Sequence, residues 1–127
     1  MKIKEVNIEE RKPIWIALSN FYLDTELEDN NFKYIALNII DSPYSLKEVK
    51  CINKYEVFPV LNGNLLSVAG EWSGFDEELL IKNILLSIKK RNIIIQLFIE
   101  FFYLMFKWMF KDYWIKTENT YNHLRSS

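Results

Sequence analysis

The stretch Asn92–Lys111, NIIIQLFIEFFYLMFKWMFK, constrains this chain more than any other. At 100° per residue, Asn92, Gln96, Glu100, Tyr103, Lys107 and Lys111 fall in one narrow arc, and every other position is Ile, Leu, Phe, Met or Trp. A thin wet stripe beside three apolar sides describes an α-helix in the middle of something. Its length reaches the roughly 20 apolar residues of a membrane span. Against a span stand Glu100 and Lys107 inside it and Lys111 and Asp112 at its end, because each charge is costly at membrane depth. No basic loop fixes a membrane orientation either. The stretch therefore predicts the central, buried helix of a soluble bundle.

The remaining chain has to supply the partners of that helix. With 127 residues, half of them hydrophobic and 16% aromatic, it is predicted to form one domain over 1–127 with a real core. Three Gly and three Pro are too few for a β-sandwich. A single cysteine, Cys51, excludes an internal disulfide and a multi-cysteine zinc site, and is expected as a small buried residue on a helix. The opening MKIKEVNIEE lacks an apolar run, so the expected compartment is the cytoplasm. Charge is unevenly spread: residues 1–78 carry 14 acids against 8 bases, and residues 79–127 carry 3 against 8. Such asymmetry suggests a partner surface.

In chain order, Asn7 is a plausible N-cap, with Glu9, Glu10 and Pro13 in the first turns. Helix one runs to about Leu23, with Ile14, Trp15, Ala17, Leu18, Phe21 and Tyr22 inward. Helix two spans about Asn31 to Ile40 on Phe32, Ile35, Ala36 and Ile39, and Pro43 ends it. Ser45 and Glu48 form a capping-box pattern for helix three, which runs to about Tyr55 or Val57 with Leu46, Val49 and Ile52 inward. Residues 59–75 are short helix or irregular, with Trp72 read as a plug between helices. Asp76 caps a helix from Glu77 to about Arg91, with Leu79, Leu80, Ile84 and Ile88 inward. A break near Asn92 then separates it from the aromatic helix. From about Thr117 the chain reads as a frayed polar tail. The predicted fold is all-α, an irregular bundle of five to six helices with an aromatic-rich C-terminal helix in the core.

Few residues offer chemistry. There is no G-x-S-x-G, no phosphate-cradling glycine loop, no H-E-x-x-H, and the one histidine, His123, lies in the polar tail. No catalytic residue, metal ligand or cofactor is predicted. Lys89-Lys90-Arg91 is too short for a nucleic-acid surface and suits a helix C-terminus. Two acidic clusters beside aromatics remain: Asp24, Glu26, Glu28 and Asp29 next to Phe21 and Tyr22, and Glu71, Asp76, Glu77 and Glu78 next to Trp72 and Phe75. Carboxylates so placed read first as a solvated helix end and an ordinary N-cap, and they also suit the steering and anchoring of a basic partner surface.

Several phrases carry a resemblance: Trp15-Ile-Ala-Leu-Ser19, Phe21-Tyr-Leu-Asp-Thr-Glu-Leu27, Ser42-Pro-Tyr-Ser-Leu46, Pro59-Val-Leu61 and Asn64-Leu-Leu-Ser-Val-Ala-Gly-Glu-Trp-Ser-Gly-Phe-Asp76, with Lys111-Asp-Tyr-Trp114 beyond. In this order they resemble a family of small bacterial proteins carried as a domain of unknown function, and the resemblance supplies no catalytic residue. By size, helical class and acidic front the chain is also similar to the immunity proteins of secreted or contact-delivered toxins, including those of contact-dependent growth inhibition. That similarity implies a cytoplasmic, non-enzymatic protein that covers the active site of one cognate toxin domain, often a nuclease in such systems, without binding nucleic acid or membrane itself. Asp24, Glu26, Glu28, Asp29, Glu71 and Trp72 would face the toxin. The alternatives are a structural or regulatory helical domain in which these motifs are internal, and a carboxylate or metal enzyme.

Overall fold

The computed structural model describes residues 7–23, 26–61 and 77–126. Asp24, Glu71, Trp72 and Asp76 lie outside them, so the plug expected of Trp72 and the cap expected of Asp76 do too. The described chain is all-α, as predicted. Helix α1 is Ile8–Leu18, followed by a 3₁₀ turn at Ser19–Tyr22. Helix α2 is Asp29–Ile40 and α3 is Leu46–Ile52. A π-turn at Asn53–Val57 and helical residues 58–61 continue α3. Helix α4 is Glu77–Lys89 and α5 is Ile93–Ser126.

Local chemistry sets the boundaries. Asn7 Oδ1 accepts from the Glu10 N–H at 3.1 Å and starts α1. Ser45 and Glu48 close a reciprocal capping box at the start of α3, at 3.1 and 2.9 Å. Asn92 separates α4 from α5, its Oδ1 accepting from the Ile95 N–H at 2.9 Å. Pro59 sits inside helical backbone and has no N–H to give the carbonyl of Tyr55. Arg91 Nη2 donates to that carbonyl instead, at 2.7 Å, tying the start of α5 to the π-turn.

The core forms where the apolar faces of α1 to α4 meet. Ile14, Trp15, Ala17, Leu18, Phe21 and Tyr22 are buried, as are Phe32, Ile35, Ala36 and Ile39 of α2. Val49, Ile52, Leu80, Ile84 and Ile88 complete it. A buried carboxylate pins α1 to the π-turn. Glu56 accepts from Arg11 Nε and Nη2 at 3.0 and 3.1 Å and from Trp15 Nε1 at 2.7 Å. Burial opposes the Arg11 charge, but Glu56 outweighs it and holds the guanidinium above its ordinary value. Helix α5 enters the core through Phe110, whose ring lies 5.4 Å from Tyr22, 6.0 Å from Phe58 and 5.7 Å from Tyr103. Trp114 packs edge-on to Phe21 at 5.0 Å.

Four expectations change. Leu79 is exposed on α4 because Leu80, Ile84 and Ile88 already fill the inward line. Cys51 is exposed on α3, one position off the Val49–Ile52 face. Residues 117–126 are polar but helical, as the last turns of α5. Finally, the first half of α5 is not surrounded by the described residues.

Candidate functional site

The middle of the polar arc of α5, Gln96, Glu100 and Tyr103, lies against the body of the protein, while Asn92, Lys107 and Lys111 at its ends are exposed. Glu100 Oε1 pairs with Lys54 Nζ at 2.6 Å, and Glu100 Oε2 accepts from the Tyr55 hydroxyl at 2.6 Å. Gln96 Oε1 accepts from Arg91 Nη1 at 3.4 Å. Lys54 also lies over the rings of Tyr55 and Tyr103, at 5.0 and 5.6 Å. Hydrogen bonds from Lys54 and Tyr55 hold the Glu100 carboxyl below its ordinary range. The same contact raises the Lys54 ammonium and the Tyr55 phenol. Burial pushes the Tyr103 phenol up and the Arg91 guanidinium down. The Lys54–Glu100 pair keeps part of its surface in water, so it contributes direction more than strength.

Once that arc turns inward, the opposite side must turn outward. Ile93, Ile94, Leu97, Phe98, Phe101, Leu104, Met105 and Trp108 are all exposed, Ile93 at 71% and Trp108 at 72%. A hollow of about 420 Å³ on this side is lined by Ile94, Leu97, Phe98 and Phe101. The outward face changes character abruptly beyond Trp108. Lys111, Asp112, Lys116, Asn119 and His123 follow on the outside, with Ile115 the apolar exception. At the changeover an open groove of about 580 Å³ runs between α3 and α5, with Lys50, Tyr103, Lys107, Trp108, Lys111 and Trp114 along it. Lys50 is engaged, pairing with Glu118 at 2.8 Å. Lys107 and Lys111 are exposed and form no ion pair among the described residues.

The acidic residues singled out from sequence fare differently. Glu26, Glu28 and Asp29 lie together and exposed at the start of α2, with the buried Leu27 anchoring the segment between them. Glu28 is the N-cap residue of α2, its N–H donating to Asn31 Oδ1 at 2.9 Å, and Asn31 Nδ2 reaches back to Asn20 Oδ1 at 3.3 Å. Asp29 lies in the first turn, where the helix dipole favours an anion. Part of this cluster therefore has a local structural reason. Asp24, Glu71 and Trp72 lie outside the described residues, and so does any meeting of the two clusters. Among the described residues no group of three or more His, Cys, Asp or Glu side chains is placed to hold a metal ion.

Sequence reasoning missed the outward apolar face. The signal was present: a helix apolar around most of its circumference, with lysines at both ends, in a chain too small to enclose it. The fold defines the class of this protein, a small all-α bundle whose long last helix is half packed and half uncovered. The chain belongs to the family described as Domain of unknown function (DUF7079), which matches residues 9–120. No curated protein and no solved structure matches it.

Proposed function

We propose that the protein works by binding, and that its docking surface is the outward face of α5 from Ile93 to Trp108. One observation carries this reading. Ten large apolar side chains on that stretch of helix are substantially exposed. At about 150–250 Å² for a large side chain they present on the order of 1,000 Å². Folded monomers rarely exceed about 300–600 Å² in one apolar patch, whereas a standard interface takes about 800 Å² from each partner. Binding of the dye ANS to the native protein tests this. Leu97→Glu with Leu104→Glu is expected to reduce the fluorescence to the level of an ordinary folded protein; unchanged fluorescence would contradict it.

Separately from that surface, the biological role we propose is that of an immunity protein, which neutralises a cognate toxin domain by covering its active site. Its support is size, helical class, the unlike charge of the two chain halves and the exposed Glu26, Glu28 and Asp29. An apolar strip does not complement a basic substrate groove, so the acidic start of α2 is the part that would face the toxin. Co-expression with the product of the adjacent upstream gene tests the role. If that product arrests growth and this chain restores it, Glu26→Lys should slow association, less so at high salt. Failure to restore growth removes the immunity role and leaves the docking surface standing.

A further inference from the structure

We propose that the outward face of α5 docks on the surface of a bilayer containing anionic phospholipid, with the apolar strip Ile93–Trp108 at the acyl boundary and Lys107 and Lys111 at the headgroup phosphates. The proposal rests on the reading of this face as a docking surface and names its partner. Three observations select lipid over the other occupants.

The first is the distribution of charge. The outward residues of the strip include no acid, because Glu100, the one acid of Ile93–Lys111, is turned to Lys54 and Tyr55. Exposed Lys107 and Lys111 stand at its close, with exposed Asp112 the one acid beside them, and exposed Lys89 and Lys90 precede it in the chain at the end of α4. A second copy of the chain fits this badly. Antiparallel pairing brings Lys89 and Lys90 of one copy against Lys107 and Lys111 of the other, and parallel pairing sets each cluster against its twin. Anionic headgroups complement Lys107 and Lys111, and basic residues near such a surface are each favourable.

The second is the placement of Trp108. It is the most exposed side chain of the strip and marks the changeover from apolar to polar outer face, beside Lys107 and Lys111. Indole rings concentrate at the boundary between hydrocarbon and headgroups, and lysine stems extend from there toward phosphate. The hollow between Ile94, Leu97, Phe98 and Phe101 is lined by apolar side chains alone and would meet acyl chains.

The third separates lying on a bilayer from crossing it. By length and apolar content α5 contains a candidate span, with only 11% of that window buried in protein. Crossing would place Glu100 and Lys107 in hydrocarbon and strip Tyr103 and Phe106 from Phe58. The strip from Ile93 to Trp108 is about 24 Å long at 1.5 Å per residue, short of a hydrocarbon core of about 30 Å. Lying in the interface keeps the inward contacts and removes only the outward side chains from water.

The test is co-sedimentation of the full chain with vesicles of phosphatidylcholine alone and of phosphatidylcholine mixed with phosphatidylglycerol. Binding is expected to the mixed vesicles and much less to the neutral ones. Lys107→Glu with Lys111→Glu should weaken binding to the mixed vesicles by at least about tenfold, and Leu97→Glu with Leu104→Glu should abolish it. Circular dichroism checks that each variant is folded; Lys82→Glu, on α4, matches the charge change of the leucine pair and should bind like wild type. Absence of vesicle binding overturns the lipid proposal. If the protein then self-associates through the same residues, the docking surface survives with a second copy as its occupant; if it remains a monomer whose ANS response ignores the Leu97 and Leu104 changes, the docking surface fails as well. Bound protein that resists an alkaline carbonate wash would show a span and equally overturn surface docking.

Discussion

The two halves of α5 are one unbroken helix with opposite relations to the protein. From Phe110 onward, aromatic residues point inward and polar ones outward, as on an ordinary surface helix. From Ile93 to Trp108, Glu100 is held by Lys54 and Tyr55 of the π-turn and Gln96 by Arg91, while most of the apolar side chains, Ile99 and Phe106 excepted, stand in water. What differs is the surface each half meets: α2 offers Phe32 to Tyr113, at 6.0 Å between rings, whereas Asn53–Val57 offers Lys54 and Tyr55. A helical wheel fixes which residues share a side. The neighbour decides which side faces in.

The largest test of this contrast uses two aromatic residues two positions apart. Phe110→Ala removes a ring packed on four others and should destabilise by about 3–5 kcal/mol in urea unfolding. Trp108→Ala should change stability by less than about 0.5 kcal/mol, because the ring is already in water. Comparable losses at both sites would mean that the outer face is covered.

Next in size is Glu56→Ala, which leaves Arg11 and the Trp15 N–H without their buried acceptor. A loss of about 3 kcal/mol is expected. Because Glu56 steadies the turn on which Lys54 and Tyr55 sit, amide exchange should quicken over Ile93–Glu100 before it does over Phe110–Thr117. Uniform quickening along α5 would show that the halves are not independently supported.

A smaller pair concerns the start of α2. Glu28→Lys places a cation at a helix N-terminus and should cost about 0.3–1 kcal/mol, whereas Glu26→Lys, outside the helix, should be close to neutral. Neither should alter exchange at Ile93–Glu100. Equal effects of the two on melting would remove the distinction between the N-cap position and the residue outside the helix.

The smallest effect is that of pH on the inward polar arc. Glu100 is held below its ordinary value in the folded state, so its contribution is full above the unfolded value and is lost as pH falls through the folded one. Lys54 and Tyr55 are both raised, so theirs is full below the unfolded values and is lost as pH rises through the folded ones. Protection of Ile93–Glu100 in amide exchange, corrected for intrinsic rates, should fall at both extremes, and Glu100→Gln should remove the acid limb. An acid limb that persists in the variant would assign it to another group.

Much of the fold was legible because its causes are local. Asn7, Ser45 with Glu48, and Asn92 act within three residues of themselves, and the inward lines of α1 and α2 follow from spacing alone. The direction of the first half of α5 was not legible. Its partners lie 45 residues away for Glu100, on a π-turn that no local pattern announces. Cys51 was misplaced for a related reason: residue type favours burial, but its neighbours Val49 and Ile52 set the inward face of α3. Of the acidic site, sequence located Glu26, Glu28 and Asp29 together, but it could not distinguish a capping role for Glu28 from a recognition role.

Cysteine labelling tests the inverted half-helix most directly. In a Cys51→Ser background, Leu97→Cys on the outward face and Ile99→Cys on the inward face would be reacted with maleimide under native conditions. The structure predicts that the thiol at position 97 reacts nearly as fast as a free peptide thiol, while the one at 99 is strongly protected. Protection at 97 in a dilute, monomeric sample, or equal reactivity at both positions, would contradict it.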